Sequence, residues 1–265
     1  MLAYEYNHTM PSAVLWATGK GKSLCYQLPP LMQSKTAIVV SPLLSLMADQ
    51  VTSINGKFSA NKQMNELPPA CFLGSSQTDH RVEADAVAGR YRLVYLTPEK
   101  LASSGFLARL APLIAKNSVS LLAVDEAHCT SEWGHDFRPE FMKIGMFRTM
   151  YPSVPIIALT ATAVDRVRHD IVNSLQLHEP VVSISSLDRT NLGISVMRKS
   201  TFEKDVKQII DFMKQSKDSN NRIGSTIIYV ASKNEAERLC KSVSEALLAS
   251  SPTVVGFYHG GLDAR

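Results

Sequence analysis

An α/β fold, built on a mainly parallel sheet covered by helices, follows from three features of this sequence. Short apolar, β-branched runs alternate with segments whose apolar residues recur at helical spacing. The runs stay apolar at successive positions, as strands buried on both faces must. Each unusual polar cluster follows such a run, at the carboxyl ends where open α/β sheets gather ligands.

In chain order, "AVLWATG", "TAIVVSP", "RLVYLTP", "LLAVDEA" and "PIIALTATA" are the predicted strands. Between them, "LLSLMADQVTSI" and "DRVRHDIVNSLQL" are predicted helices, the second with Val167, Ile171 and Leu175 on one side. "NGKFSANKQMNELPP" reads as a surface loop. After "VVSISSLDRTNL" the pattern restarts. "FEKDVKQIIDFM" is amphipathic through Phe202, Val206, Ile209 and Met213; a polar loop then leads to a strand "TIIYVAS", a helix over 233–248 and a strand "VVGFYHGG". Two domains are expected, 1–186 and 187–265, the second only the start of an α/β lobe.

Composition narrows the function classes. With 265 residues, 45% of them apolar and 20% charged, the chain can bury one large core or two smaller ones. A net charge of +4 does not by itself argue for nucleic acid, so that case must come from motifs. The four cysteines are scattered without a CxxC, which fits a reduced compartment and builds no zinc site. No run approaches the roughly eighteen apolar residues of a membrane helix, and the opening "MLAYEYNHTM" lacks the basic start of a secretion signal. An internal, non-membrane protein is the expectation.

Chemistry concentrates in three places. "ATGKGKSLCYQ" follows a strand and should open a helix. Gly19 and Gly21 let backbone approach a phosphate at the helix N-terminus; Lys22 would reach the β- and γ-phosphates, and Ser23 would ligand Mg²⁺. Thr18 and Lys20 complete this candidate ATP-binding loop. Trp16 occupies the position where the strict GxxxxGK[ST] pattern has glycine, and read alone the stretch also fits a serine-capped turn. "VDEAH" places Asp125 to hold Mg²⁺ through water and Glu126 to deprotonate an attacking water. In isolation it is equally an acidic pair at a strand exit. Thr160 and Thr162 in "TATA" stand where they can bond His128 or the acids, or simply cap a strand.

"TGKGKSLCYQLP", "SPLLSLMADQV", "LGSSQ", "YLTPE", "AVDEAHCTSEWGHDFRPEF", "ALTATA", "LDRTNL", "TIIYVASKNEAE" and "YHGGL" stand in the order found in RecQ-type superfamily 2 DNA helicases, which the chain resembles from about Ala13 onward. The likeness is nearest to the Werner-like branch. It implies a RecA-like first lobe, an incomplete second RecA-like lobe, ATP and Mg²⁺ as cofactors, and single-stranded and partially duplex DNA as partners. It also implies 3′ to 5′ translocation, work in DNA repair and recombination, and a nuclear location. "CTSEWGHDFRPEF" would be the family's aromatic-rich loop: Trp133 and Phe137 stack on single-stranded DNA, Arg138 adds a cation, and the loop couples DNA contact to Asp125 and Glu126. The alternative is that both aromatics pack into a lobe interface. His128 and His135 read as hydrogen-bonded couplers. By resemblance Ser41, Pro42, Ser75, Ser76, Gln77, Thr97 and Pro98 line the DNA track, mostly at phosphate.

Departures from the family pattern are also legible. Residues 1–12 contain nothing like its adenine-recognising glutamine motif, the region between Val51 and Ala70 is long, and Thr190 replaces a proline. The chain ends at Arg265, before the family's later motifs, so truncation at both ends, weak ATP binding and poor turnover are the expectation. A nucleotide- or DNA-binding module, or an incomplete product without turnover, is the competing reading.

Overall fold

The structure is a computed structural model that describes residues 10–58, 67–75, 77–134, 136–161, 164–186, 188, 190–215, 224–248 and 254–262. Among the described residues, seven strands form one sheet: β1 (Ser12–Leu15), β2 (Thr36–Val40), β3 (Ala70–Leu73), β4 (Leu93–Leu96), β5 (Val119–Val124), β6 (Ile156–Thr160) and β7 (Val181–Ile184). Their spatial order is β3-β4-β2-β5-β6-β1-β7, and every pairing is parallel.

Parallel neighbours need crossovers, and the helices supply them. They are α1 (Leu24–Gln33), α2 (Leu44–Phe58), α3 (His80–Val87), α4 (Pro98–Ala102), α5 (Ser104–Ala115), α6 (Pro139–Met142), α7 (Gly145–Met150) and α8 (Asp165–Ser174). Alternate residues of the central strands enter opposite apolar layers. Ile38, Val40, Leu122 and Val124 pack with Leu107, Leu110, Phe147 and Ile171 on one face. Ala37, Val39, Leu121 and Ala123 pack with Tyr26, Met47 and Ile54 on the other. Two-sided burial is why these strands read as unbroken apolar runs.

Two strands go beyond the predicted set. β3 and β7 are the edges, and β7 alternates between half-buried and exposed residues. The predicted loop from Asn55 also begins inside α2, which runs to Phe58; residues 59–66 lie outside the described set.

The chain divides into two compact units between Asn191 and Leu192. In the second unit, α9 (Phe202–Gln215) and α10 (Lys233–Leu248) pack Val206, Ile210 and Met213 against Leu239, Val243 and Leu247. Ile210 takes the buried place expected for Ile209, which is only partly covered. The two strands predicted here are not formed among the described residues. Residues 224–230 and 254–259 find no ladder partner, and Ile227, Tyr229 and Val254 are 79%, 90% and 97% exposed. An apolar run becomes a strand only when a neighbour satisfies its backbone groups. No described helix is long and apolar enough to cross a membrane.

Candidate nucleotide and nucleic-acid site

Between β1 and α1 the chain turns through Gly19 at φ +84° and Gly21 at φ +80°, backbone that side-chain-bearing residues rarely adopt. A Cβ on Gly19 would meet nothing within 4 Å, so the glycine supplies conformation rather than room. Ser23 precedes α1, and its hydroxyl does not cap the helix. The Lys22 ammonium donates to the Trp16 carbonyl at 2.9 Å, and the Trp16 indole donates to Ser183 Oγ on β7 at 3.0 Å. The residue that departs from the phosphate-loop pattern thus ties the loop to the sheet edge and holds its lysine.

Asp125 follows β5 and donates its amide to Val40 at 2.9 Å. It is nearly buried. Burial first, then the charge of Glu126, pushes its carboxyl up to about 6, while the Glu126 amide, Lys22 and His128 pull the other way. Both loops leave the carboxyl end of the same parallel sheet, with β6 between β5 and β1. Glu126 adopts left-handed backbone at φ 50°, a strain of about 1–3 kcal/mol that recurs at functional sites. A 3₁₀ turn, Ala127–Thr130, follows. The buried His128 points one ring nitrogen, Nδ1, at both Glu126 Oε2 (3.2 Å) and Thr160 Oγ1 (3.0 Å). Thr160 ends β6, so the histidine joins a candidate base to the neighbouring strand.

These residues fit a magnesium–triphosphate. The described residues hold no cluster of three metal-binding side chains, so a cation here would rest on one carboxylate, phosphate and water, as Mg²⁺ usually does. The positive-φ loop, the helix N-terminus and Lys22 match the phosphates.

The aromatic segment leaves this edge. Trp133 is 62% exposed and Phe137 half-buried. Arg138 is not a free cation: Nη1 donates to the Pro42 carbonyl at 2.9 Å, and Nη2 pairs with Asp136 at 3.1 Å. The loop is therefore bound to the exit of β2. Gly134 is needed for space, since a Cβ there would lie 2.3 Å from the His128 carbonyl oxygen.

Pro42, Ser75, Gln77 and Thr97 follow β2, β3 and β4 at the same end of the sheet. Gly74, Gln77, Thr97, Glu99 and Lys100 border a cleft of about 410 Å³. Ser41 and Pro98 are buried, so in this conformation their side chains do not reach a strand on the surface. Thr97 caps α4 by accepting from the Lys100 amide. Ser76, His135 and Thr162 lie outside the described residues.

Two partnerships were not readable from residue type. Arg166 lies over the Trp133 ring, and Asp170 accepts from Ser131. Only the helical spacing of these two residues on α8 hints that they share a face.

With this geometry in view, the DEAD/DEAH box helicase family profile matches residues 6–171, and the chain belongs to that family. Within it the likeness is to RecQ-type proteins. Residues here are 39% identical to the mouse (Mus musculus) bifunctional 3′-5′ exonuclease/ATP-dependent helicase WRN, over 95% of this chain and 17% of that protein. They are 38% identical to the ATP-dependent DNA helicase RecQ of Pasteurella multocida, over 95% of this chain and 36% of that one. The chain thus spans a sixth to about a third of the relatives it matches. The fold also matches the crystal structure of the helicase MrfA bound to DNA and AMPPNP, with a TM-score of 0.62 at 14% identity, over 92% of this chain and 36% of that one.

Proposed function

We propose that the chain is the core of an ATP-dependent DNA helicase of RecQ type, with residues 1–186 within its ATP-binding lobe and the compact unit from Leu192 onward as part of its second lobe. One observation carries the reading: the glycine-rich loop with Lys22 after β1 and the Asp125–Glu126 pair after β5 lie at the carboxyl end of one parallel sheet, where an exposed tryptophan loop also departs. In this reading the backbone from Thr18 to Gly21 cradles phosphate and Lys22 offsets its charge. Ser23 and Asp125 hold Mg²⁺, and Glu126 takes the proton of the attacking water. ATP and Mg²⁺ supply the transferable phosphoryl group and the cation that neutralises it.

The coupling follows from what holds Glu126. His128 ties it to Thr160, and the turn at Ala127–Thr130 leads into the aromatic loop. A base stacked on Trp133 or Phe137 contributes about 1–3 kcal/mol, enough to shift that loop and release the carboxylate toward water. Hydrolysis then depends on bound DNA. Pro42, Ser75, Gln77 and Thr97 position the strand through phosphate without reading sequence. The likeness to the mouse and bacterial helicases supports ATP-dependent helicase work on DNA. Single-stranded and partially duplex DNA as partners, 3′ to 5′ movement, a role in repair and recombination, and a nuclear site are what the RecQ-type resemblance implies for it.

A second reading, a nucleotide- and DNA-binding module without productive turnover, is favoured by the apolar segments 224–230 and 254–259, which pair with no strand among the described residues. Binding of a labelled, non-hydrolysable ATP analogue with Mg²⁺ tests the site common to both. Lys22→Ala should weaken it at least tenfold, the scale of a charge-assisted contact; undiminished affinity sinks both readings. Steady-state ATP hydrolysis then separates them.

A further inference from the structure

One face of Trp133 is already occupied. The Arg166 guanidinium carbon sits 3.5 Å from the ring centroid, yet the residue stays 62% exposed, so the opposite face is open. Arg166 lies in the first turn of α8, and Asp170, one turn later on the same side, accepts a hydrogen bond from Ser131. Ser131 Oγ in turn accepts from the Trp133 amide at 3.2 Å. One helix thus grips the loop twice, at the Ser131 hydroxyl through Asp170 and at the indole ring through Arg166. Arg166 is itself exposed, and among the described residues it makes no ion pair; the nearby Arg168 is the one that pairs with Asp165. The stack on Trp133 is therefore its main engagement.

We propose that Arg166 is a positioning residue for DNA: it braces the indole from one side so that a nucleotide base stacks on the other, giving a guanidinium–indole–base layer. The proposal rests on the reading of Trp133 as a DNA contact and adds how that contact is held. A base that displaced Arg166 would forfeit the cation–π contact, roughly two- to fivefold in affinity. A base on the open face keeps both contacts, so the open face is preferred.

The test is the affinity of the whole chain for a fluorescently labelled oligo-dT, with wild type, Arg166→Ala, Arg166→Lys, Trp133→Ala and the Arg166→Ala/Trp133→Ala pair measured at one salt concentration. Trp133→Ala should weaken binding by about fivefold to a hundredfold. Arg166→Ala should weaken it about two- to fivefold, and Arg166→Lys by less, because lysine keeps the cation but loses the planar stack. The double variant should bind like Trp133→Ala alone, since Arg166 acts through the ring. Tighter binding by Arg166→Ala would mean that arginine and base compete for one face, and would overturn the proposal. So would unchanged binding, or additive loss in the double variant. In those cases a normal loss with Trp133→Ala leaves the DNA-contact reading standing, whereas no loss with Trp133→Ala removes both.

Discussion

From Thr18 to Gly21 the chain is exposed, with Trp16 anchoring the loop's start to β7, whereas between Ala127 and Arg138 the polar groups are largely committed to other elements. The first loop holds itself by the Lys20 amide to Ala17 and Lys22 to Trp16. The second is bonded to β2 through Arg138, to β6 through His128 and to α8 through Ser131 and Trp133. A receptor of the first kind leaves its contacts for the ligand to complete. A linkage of the second kind already carries the connections along which a ligand's arrival can be felt. Substitutions in the first should alter binding with little change in stability; in the second, stability and coupling should fall together.

The largest separation is expected at Lys22. Lys22→Ala should lower Mg²⁺-dependent ATP hydrolysis by about 10²–10³-fold, as loss of one preorganised charge contact does. Urea unfolding should move by less than about 1 kcal/mol. A stability loss of several kcal/mol would place this loop among the committed ones and break the comparison.

Asp125 offers the next effect, through pH. Its folded pKa of about 6 stands above the ordinary 3.8, because the carboxyl is buried beside Glu126. The fold therefore favours its protonated form, and that contribution is full below pH 4 and lost as pH rises through 6. Denaturation of the nucleotide-free protein from pH 4 to 8 should show it. Asp125→Asn should remove this slope and be more stable at pH 8 by up to roughly 3 kcal/mol.

Two glycines sharpen the contrast further. Gly134→Ala drives a methyl onto the His128 carbonyl oxygen and should cost about 1–3 kcal/mol while disturbing DNA stimulation. Gly19→Ala meets no neighbour, so only its backbone angle opposes it, about 1–2 kcal/mol. Thermal unfolding ranks them, and a larger loss at Gly19 would reverse the picture. Arg138→Ala should cost about 1–2 kcal/mol through the lost hydrogen bond to Pro42. Its accompanying loss of DNA-stimulated turnover distinguishes a link from a mere surface contact.

The central strands were legible because burial on both faces favours apolar residues, and the candidate residues Lys22, Asp125 and Glu126 stood out because nucleotide chemistry would demand those types after a strand. The edges were harder. β3 and β7 have four residues each and one neighbour each, so little in their composition marks them. In the second unit the pattern promised strands that no described partner completes. The long-range contacts of both loops were hidden for another reason. Trp16 reaches Ser183 across 167 residues, and Arg166 reaches Trp133 from a different element. Such pairings depend on how elements pack, and no local pattern encodes them. Arg138, read as a cation for the DNA or the nucleotide, also bonds the Pro42 carbonyl and Asp136, which no local pattern announced.

Mg²⁺-dependent ATP hydrolysis, measured with and without single-stranded DNA in the wild-type chain and in Trp133→Ala/Phe137→Ala, tests most directly whether the aromatic loop transmits DNA contact to Glu126. The wiring described above predicts that DNA accelerates the wild type and that the double variant loses this acceleration. Equal acceleration in both proteins would contradict it.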